Sequence, residues 1–386
     1  MGTCFANVHA MIHPAPSSPP INERWKGVRR LLVIRLDNLG DVLMTTPAIV
    51  ALRRAWPQAH ITVLTSPSGA MLAPHLSVVD EVMAATVPWM KGAPLRRPID
   101  PEGFDLVERV RAGGHDAAVI FTTASQSPLP MAMVCWQAGV PLCLAHCREN
   151  PYELLSDWVG DQEVVHDGMR HEVRRQLDLL SAIGVHSPEG SMVFELRPAD
   201  QAGAQAHLKR IGLPVGHAFV LMHPGATAPS RRYPATLFGQ AMGKLVQRGL
   251  TGVFVGSGDD AELVREAHAA AGGQGLVLLD QLTLGELGAL IQQASVLVCN
   301  NSGPAHLAAA VSTPVVDLYA LTNPQHTPWQ VPSRVLYHDV PCRNCLRSVC
   351  PQGHHACLRE VAPAAVADAV MDLLESSAHE QSRPAA

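Results

Sequence analysis

The sequence predicts a two-domain α/β protein in which each domain is a mostly parallel sheet covered by helices. At 386 residues the chain exceeds the length that one hydrophobic core usually supports. Short apolar runs alternate with helical patterns, and this alternation starts again near Pro198. In such sheets, ligands bind at the carboxyl ends of the strands. We therefore expect two Rossmann-like domains that face each other across a cleft.

The N-terminal half opens with an apolar run at 31–36 that predicts a buried parallel strand. A polar turn follows, and then a helical pattern from Val42 to Trp56 that Pro57 ends. The stretch between Val87 and Pro101 holds several prolines and predicts a long loop, which in a compact domain is usually functional or mobile. The other elements predicted in this half are strands at 60–64 and 116–121 and a helix at 128–138.

The C-terminal half repeats the pattern after a hinge predicted near residues 196–216. Its predicted strands are 218–222, 252–255, 276–279, 296–299 and 315–319, and its helices begin near 198, 237, 261, 284 and 303. An amphipathic pattern from Pro363 to Leu374 predicts a final helix. The predicted boundaries are a disordered leader at 1–28, an N-terminal domain at 29–197, a C-terminal domain at 198–361, a last helix at 362–375 and a disordered tail at 376–386.

Composition narrows the possible functions. The net charge of −5 and an aromatic content of 4% give no footprint for nucleic acid, which would need a clustered basic surface. No apolar run approaches the roughly 18 residues needed to span a bilayer, and the first 20 residues lack the features of a signal peptide. We therefore expect a cytoplasmic protein whose ligands are held by local groups.

The turn after the first strand carries two carboxylates, Asp37 and Asp41. Gly40 allows the backbone to turn tightly just before the helix. Because Asp41 lies where the helix begins, it is interpreted either as a cap for free N–H groups or as a catalytic base. Asp37 competes with it for any role that needs a carboxylate.

The loop between His223 and Pro234 suits a phosphate. It combines a glycine with small and hydroxyl residues, whose backbone N–H groups can bind phosphate oxygens. Arg231 and Arg232 add forked donors. The alternative is a surface turn with two solvated arginines, but the position directly after a buried strand favours phosphate.

A second candidate for phosphate is the helix that begins at Gly303 and Pro304. Its free N–H groups and its dipole would face the cleft and could bind a pyrophosphate. His306, one turn into this helix, would either contact the ligand or pack in the core. The glycine-rich loop at 256–260 is a weaker signal, since Asp259 and Asp260 could meet ribose hydroxyls or simply begin a helix.

Four cysteines near the end of the chain have the spacing of a metal site. They follow the pattern C-x2-C-x4-C-x6-C, with two histidines before the last cysteine: Cys342, Cys345, Cys350 and Cys357. Such thiolates suit zinc or iron. The predicted role is structural, because four protein ligands leave no open position for catalysis. The alternative is a set of ordinary thiols on a loop.

Taken together, these loops resemble glycosyltransferase family 9, the ADP-heptose:lipopolysaccharide heptosyltransferases. The segments that carry the resemblance are 34–43, 223–226 with 231–234, 301–310 and 318–324, and the likeness extends over residues 29 to about 375. It implies a GT-B fold, with the acceptor bound by the N-terminal domain and an ADP-sugar by the C-terminal one. It also implies inverting transfer by direct displacement, without a cofactor needed for catalysis, and a last helix that crosses back to the N-terminal domain.

The resemblance also implies roles for single residues. Asp41 matches the general base of the family, and Arg231 falls where the family has a lysine beside the phosphates. The donor would be held by residues of the loops already described: Thr227, Arg232, Leu282, Asn301, Ser302, Gly303 and His306. Asn301 departs from the aspartate that is usual in the classical enzymes; it keeps hydrogen bonding but loses the charge.

The function predicted from the sequence is therefore transfer of heptose, or a related sugar, from an ADP-sugar to a lipopolysaccharide core or similar glycan, including a lipid-linked one. The enzyme would act in the cytoplasm, or peripherally on the inner face of the inner membrane. The alternatives are heptosylation of a protein or a small metabolite, and a non-catalytic nucleotide-sugar-binding module. A Rossmann oxidoreductase is disfavoured, because no G-x-G-x-x-G follows the first strand.

Overall fold

The computed structural model describes residues 21–90, 101–163, 168–187, 190–256, 258–279 and 281–381. It contains two six-stranded sheets, one in each half of the chain, and the paired strands in both sheets run parallel. This arrangement confirms the predicted α/β class.

The N-terminal sheet has the strand order β3-β2-β1-β4-β5-β6. Its strands are β1 (Arg30–Arg35), β2 (His60–Thr65), β3 (Glu81–Ala84), β4 (Ala117–Ile120), β5 (Leu142–Cys147) and β6 (Asp157–Gly160). The helices of this half are α1 (Leu39–Ala55), α2 (Pro67–Ala70), α3 (Pro101–Ala112), α4 (Leu129–Gln137) and α5 (Glu172–Leu180). The central strands β1 and β4 are buried almost throughout, which explains their uninterrupted apolar sequences.

The C-terminal sheet has the equivalent order, β9-β8-β7-β10-β11-β12. Its strands are β7 (Val220–His223), β8 (Gly252–Val255), β9 (Leu276–Leu278), β10 (Val296–Asn300), β11 (Val315–Leu318) and β12 (Ser333–Leu336). The helices of this half are α6 (Pro198–Arg210), α7 (Ala235–Gln247), α8 (Ala261–Ala270), α9 (Leu284–Gln293), α10 (Gly303–Ala310), α11 (Ala356–Arg359) and α12 (Pro363–Gln381).

In both sheets the strand order reverses beside the first strand. The N-terminal switch point lies between β1 and β4, and the C-terminal one lies between β7 and β10. A crevice forms at such a point, because the connections leave the two neighbouring strands in opposite directions. The turn at 37–41, the loop at 223–234 and the helix start at 303 all follow switch-point strands, so the fold brings the predicted site residues to the two crevices.

The two domains share buried apolar surface. A single hydrophobic cluster contains Val33 and Leu43 of the N-terminal domain together with Leu221 and Ala308 of the C-terminal one. A backbone hydrogen bond adds to this contact, since the Glu172 N–H donates to the Gln325 carbonyl at 3.1 Å. The crevices of the two sheets are therefore held close to each other.

Several predicted boundaries need correction. Residues 21–28 do not form a disordered leader, because Trp25 is fully buried in the N-terminal core; residues 1–20 lie outside the described part. The predicted hinge at 196–216 is largely occupied by α6, which packs on α9 of the C-terminal domain. The loop predicted between Val87 and Pro101 falls mostly outside the described residues, since 91–100 are not described.

The last helix also differs from the prediction. It continues to Gln381, six residues beyond the predicted end of the helix at 375. Its apolar residues, including Val366 and Val370, pack with Phe238 and Met242 of α7 in the C-terminal core. The expected crossing back to the N-terminal domain is therefore wrong for the packed part of this helix. Among the described residues, no helix has both the length and the apolar character needed to cross a membrane.

Candidate active site

Arg35, the last residue of β1, is fully buried and pairs with three carboxylates. Its Nε lies 2.8 Å from Asp37 Oδ2, its Nη2 lies 3.2 Å from Asp41 Oδ1, and its Nη1 lies 2.8 Å from Glu172 Oε1. The neighbouring carboxylates raise the pKa of Arg35 against the opposing effect of its burial, so the guanidinium stays charged. This group lies at the carboxyl end of β1, at the N-terminal switch point.

The three carboxyl groups differ in their pKa. Burial alone would raise the pKa of Glu172, but the charges of Arg35 and Arg175 outweigh it and lower this pKa to about 2. For Asp41 the balance is reversed: burial and the neighbouring charge of Glu172 raise its pKa, although Arg35 acts in the opposite direction. Burial also raises the pKa of Asp37. Glu172 is therefore a fixed anion, while Asp41 and Asp37 hold a proton more readily than an exposed aspartate.

Asp41 and Asp37 differ in their surroundings. Asp41 lies in the first turn of α1, with its side chain 18% exposed. Asp37 accepts a hydrogen bond from Gln126 Nε2 at 2.6 Å, in addition to its contact with Arg35. Asp37 is thus held by two side chains and Asp41 by one. The charge of Arg231, from the opposite domain, also lowers the pKa of Asp41, which indicates that Asp41 lies on the side of the domain that faces Arg231.

The start of α1 lies against the start of α10 across the domain boundary. A methyl group added at Gly40 would meet the His306 ring, with its Cδ2 at 2.7 Å. A methyl group added at Gly303 would lie 3.8 Å from Leu39 Cδ2. Gly40 therefore serves a close approach between the domains as well as a tight turn. The two helix starts predicted separately from the sequence meet in one place.

His306 is buried at this contact and its Nδ1 has no hydrogen-bond partner among the described residues. Burial and the nearby charges of His326 and His171 lower the pKa of His306 well below its usual value, so the ring is neutral at physiological pH. Burial also lowers the pKa of His326 to about 4, against the opposing charge of Glu172. The side chain predicted to contact the ligand is therefore a neutral imidazole with an unused nitrogen.

The loop at 223–234 presents its two arginines differently. The Arg232 Nε donates to the Ala226 carbonyl at 2.6 Å, so this side chain closes the loop on itself. Arg231 makes no side-chain hydrogen bond to any described residue, and Thr227 is exposed. Burial raises the pKa of Asp317 in the C-terminal domain and of Asp41 in the N-terminal one, and the charge of Arg231 opposes both effects, so it acts on carboxyl groups of both domains.

The turn between β10 and α10 is tied to its neighbours by two asparagines. Asn300 Nδ2 donates to the Pro224 carbonyl at 2.8 Å, and its Oδ1 accepts from the Tyr233 N–H at 2.8 Å. Asn301 is buried, and its Oδ1 accepts from the Ala320 N–H at 3.3 Å. Asn301 thus holds the loop after β11, a contact that an amide makes without bringing a second charge into the interior.

Ser302 leaves the helix start uncapped. It occupies the N-cap position of α10, but its Oγ donates to the Asn300 carbonyl at 3.2 Å and does not cap the helix. Pro304 has no N–H, and the Ala305 N–H already donates to the Ser302 carbonyl at 3.0 Å. The N–H of Gly303, which is partly exposed, is therefore the donor of this first turn that remains for an external acceptor.

Two residues with weaker sequence signals, Leu282 and Asp260, lie away from the switch point or already have a partner. Leu282 is partly buried beyond the end of β9 and packs against the shared core. The Asp260 carboxylate lies 3.9 Å from His223 Nε2, and an added methyl group at Gly225 would overlap it. Asp260 therefore packs against the start of the loop at 223–234, at His223 and Gly225.

A cavity of about 250 Å³ opens beside Asp37 in the N-terminal domain. Its lining combines apolar side chains with a few polar groups at the ends of β1 and β4, namely Leu36, Asp37, Trp89, Met90, Gln126 and Met131. Trp89 is 38% exposed, so its ring offers a flat apolar surface to a ligand. This cavity is lined by Asp37 and lies in the domain opposite the loop at 223–234 and the start of α10.

The four cysteines predicted to bind a metal stay together on one segment. Cys342 Sγ lies 3.7 Å from His354 Nε2, and the other three thiols raise the pKa of Cys357, after the effect of its burial. In the part of the chain that the structure describes, however, no three His, Cys, Asp or Glu side chains form a preformed metal site. The metal site therefore stays a prediction.

Several residues of this site were not predicted from the sequence. Glu172 and Arg175 are buried on α5, and Arg175 pairs with Asp161 at 2.8 Å. Asp317 of β11 is fully buried, and neither of its carboxylate oxygens has a hydrogen-bond partner among the described residues. The sequence did hold a signal for these residues, because charged residues interrupt the apolar positions of both β11 and α5.

Comparison with known proteins places this geometry in a family. The model of glycosyltransferase family 9 (heptosyltransferase) matches residues 105–356. The chain is 27% identical over 324 residues to lipopolysaccharide heptosyltransferase 3 of Escherichia coli, which covers 79% of this chain and 89% of that protein.

Solved structures give the same result for the fold. A glycosyl transferase family 9 protein from Veillonella parvula superposes with a TM-score of 0.74 at 22% identity, over 90% of this chain and 98% of the other. The E. coli ADP-heptose lipopolysaccharide heptosyltransferase II superposes with a TM-score of 0.68 at 22% identity, over 90% of this chain and 99% of the other. The predicted GT-B fold is thereby confirmed.

Proposed function

The chain belongs to glycosyltransferase family 9, and on that premise we propose that it transfers heptose, or a related sugar, from an ADP-sugar to a lipopolysaccharide core or similar glycan acceptor. The observation that carries this proposal is the meeting of two helix starts, one with a carboxylate and one that no side chain caps. Asp41 lies in the first turn of α1, and the uncapped start of α10 lies opposite it beyond Gly40 and His306.

The chemistry that we propose is a single displacement. Asp41 accepts the proton of an acceptor hydroxyl, whose oxygen attacks the anomeric carbon of the donor sugar and inverts its configuration. The bond from that carbon to the diphosphate breaks, and ADP leaves with its electron pair. The raised pKa of Asp41 supports this role, because a base with a higher pKa binds the transferred proton more strongly.

The leaving diphosphate needs positive charge and N–H donors in fixed positions. The charge of Arg231 acts on Asp41, and Ser302 and Gly303 begin a helix whose start no side chain caps. Such preorganised donors stabilise charge as it develops on the leaving group. Thr227, Arg232 and His306 would border the same diphosphate, and Leu282 would lie near the adenine. No step of this displacement requires a metal.

The acceptor site that we propose is the cavity beside Asp37. It lies in the N-terminal domain, where Asp37 in its lining contacts the same Arg35 as Asp41, and its Trp89 ring provides a surface on which a sugar ring can pack. A glycan or lipid-linked acceptor would place the enzyme at least transiently on the inner face of the inner membrane. Acceptors of other kinds, such as a protein or a small metabolite, are separated by the product analysis below.

The proposal is tested by incubating the protein with ADP-heptose and extracted core acceptors and analysing the products by mass spectrometry. We expect a mass increase of one heptose on the acceptor and an equal amount of released ADP. Isothermal titration with ADP and with NAD provides the control for donor class. Binding of NAD without binding of ADP would contradict the proposal, and ADP binding without transfer to any glycan, protein or metabolite would indicate a binding module.

The role of Asp41 is tested with a matched pair of variants, Asp41→Asn and Asp37→Asn. We expect Asp41→Asn to bind ADP as the wild type does but to lose transfer by at least 100-fold, the contribution typical of a general base. Asp37→Asn should weaken acceptor binding more than it slows turnover. If Asp37→Asn abolishes turnover and Asp41→Asn does not, the two assignments are exchanged.

A further inference from the structure

The cysteine-rich segment, residues 342–357, is hydrogen-bonded to the loop that carries Arg231. Ser230, which is buried, donates from its backbone N–H to the Ser348 carbonyl at 2.9 Å and from its Oγ to the Arg347 carbonyl at 2.6 Å. The carbonyl of Ser230 in turn accepts from His355 Nε2 at 2.7 Å. Three contacts from one segment thus converge on the residue immediately before Arg231.

The same segment also holds the loop that follows β11. The Asn344 N–H donates to the Leu321 carbonyl at 2.7 Å, and the Leu346 N–H donates to the Thr322 carbonyl at 2.9 Å. The end of the segment is anchored in the C-terminal core, where Leu358 of α11 is fully buried. The segment therefore connects the loop that carries Arg231 and the loop that follows β11 to Leu358, which is anchored in the core.

These contacts matter because the Arg231 side chain has no hydrogen bond of its own to any described residue. The direction of its guanidinium therefore depends on the backbone that supports it, and that backbone is held by Ser230. His355, whose ring makes the hydrogen bond to the Ser230 carbonyl, adopts a left-handed backbone conformation, with φ at 53°. A non-glycine residue in this region indicates that surrounding contacts fix its conformation.

We infer that the cysteine-rich segment positions Arg231 for the donor diphosphate, with Ser230 and His355 as positioning residues. This inference rests on the proposed function, because it assigns the segment to the donor site of that reaction. Arg231 itself would contact the diphosphate, whereas His355 acts only through the backbone of the loop. The segment thereby gains a role in donor binding that does not depend on whether its thiols hold a metal.

The test is a double-mutant cycle between His355 and Arg231, read by isothermal titration with ADP and by the KM for ADP-heptose. His355→Ala should raise the Kd for ADP about five- to tenfold, the effect expected of a lost supporting hydrogen bond. His355→Gln, which keeps an N–H donor near the same position, should restore most of the affinity. In the Arg231→Ala background, His355→Ala should have little further effect, because the group that it positions is absent.

The controls separate positioning from general loss of structure. His217→Ala removes another histidine hydrogen bond of the same domain, to Thr251 Oγ1 at 2.9 Å, and should leave the Kd unchanged. If His355→Ala does not fold, Ser230→Ala removes the bond to Arg347 and tests the same support. A purely structural role would lower the melting temperature without changing the Kd of the folded protein, and this result would overturn the inference.

The two proposals fail in different ways. If the wild type does not bind ADP, the proposed function is wrong and the inference falls with it. If the wild type binds ADP but His355→Ala and Ser230→Ala bind it equally well, only the inference is wrong. An undiminished effect of His355→Ala in the Arg231→Ala background also contradicts it, since the segment would then act on the donor by another route.

Discussion

Arg35 controls the carboxylates of the site because its guanidinium contacts all three of them. Glu172 stays ionised, with a pKa lowered to about 2, and its charge helps to raise the pKa of Asp41. We therefore expect the acid limb of the pH profile of kcat/KM to lie above the ordinary aspartate value of 3.8. Glu172→Gln removes one negative neighbour, so it should move this limb to lower pH.

The shift is measured from initial rates of ADP release between pH 4 and 8, with the protein confirmed as folded at each pH. Glu163→Gln is the matched control, because Glu163 pairs with Arg170 and Arg175 rather than with Arg35. It should leave the acid limb in place. A shift of the limb to higher pH in Glu172→Gln would contradict the assignment of Asp41 as the base.

Asp317 makes a separate prediction, on stability. Burial raises the pKa of its carboxyl well above the usual value, although Arg231 acts in the opposite direction. At a pH below the pKa that Asp317 has in the unfolded chain, its carboxyl is protonated in both the folded and the unfolded protein. Its ionisation then has no effect on the free energy of unfolding. As pH rises above that value the unfolded state loses the proton first, so folding becomes less favourable up to the folded pKa.

Asp317→Asn removes this dependence, and its melting temperature should exceed that of the wild type by an amount that grows from pH 4 to pH 8. The exposed Asp368, which pairs with Arg248, gives the matched control. Asp368→Asn should change the melting temperature by little at any of these pH values. An advantage of Asp317→Asn that is greatest at low pH would show that the carboxyl is ionised in the folded protein.

At the residue scale, the sequence allowed prediction of those site residues that a local sequence pattern marks. Asp41 lies in the first turn of the helix that follows β1, and Arg231 lies in the loop that follows β7, so both come shortly after buried strands at the switch points. Glu172 could not be predicted, because its partner Arg35 is 137 residues away and no local period connects them. The pairing depends on α5 packing on α1, a contact that only the folded chain defines.

At the scale of elements, the predicted strands include most of the central ones and the edge strand β9, whereas β3, β5, β6 and β12 were not predicted. The strands β1 and β10 are apolar and buried almost throughout, so their sequences are distinctive. By contrast, β6 alternates between exposed and partly exposed positions, and β12 is only half-buried along its length. Short edge strands bury too little apolar surface to leave a clear pattern.

The segment at 21–28 is an element whose contribution can be measured. Trp25 is fully buried, its Nε1 donates to Asp157 Oδ2 at 3.0 Å, and its carbonyl accepts from Trp56 Nε1 at 3.0 Å. Trp25→Ala should lower the free energy of unfolding by about 3–5 kcal/mol, as for other buried tryptophans. Trp136→Ala, at a position that is 57% exposed, should cost under about 1 kcal/mol. Equal losses in the two variants, measured by urea titration, would contradict the burial of Trp25.

The cysteine-rich segment gives a second prediction at this scale. If its thiols bind zinc or iron, protein purified without oxidation should contain about one metal ion per chain by mass spectrometry of the elements. The variants Cys342→Ser and Cys357→Ser should both be purified without this metal ion. Cys135→Ser, which changes a buried cysteine of the N-terminal domain, should keep it. Wild-type protein without stoichiometric metal would show that these cysteines are ordinary thiols.

At the scale of the whole molecule, the two domains are joined by more than the chain between them. Val33 and Leu221 belong to one buried cluster, and the His171 ring contacts Trp329 of the opposite domain at a centroid distance of 4.5 Å. The His171 Nε2 also donates to the Thr327 carbonyl at 2.9 Å. Opening either domain therefore exposes apolar surface of the other, which couples their unfolding.

We expect a single thermal transition, in which tryptophan fluorescence and far-UV circular dichroism give the same midpoint. Trp25→Ala, a change in the N-terminal domain alone, should lower that midpoint without splitting the transition. ADP at 100 times its Kd should stabilise the whole protein by about 2.7 kcal/mol, although its proposed site lies mainly in the C-terminal domain. Two separate transitions, with ADP raising only one of them, would show that the domains unfold independently and that the shared cluster does not couple them.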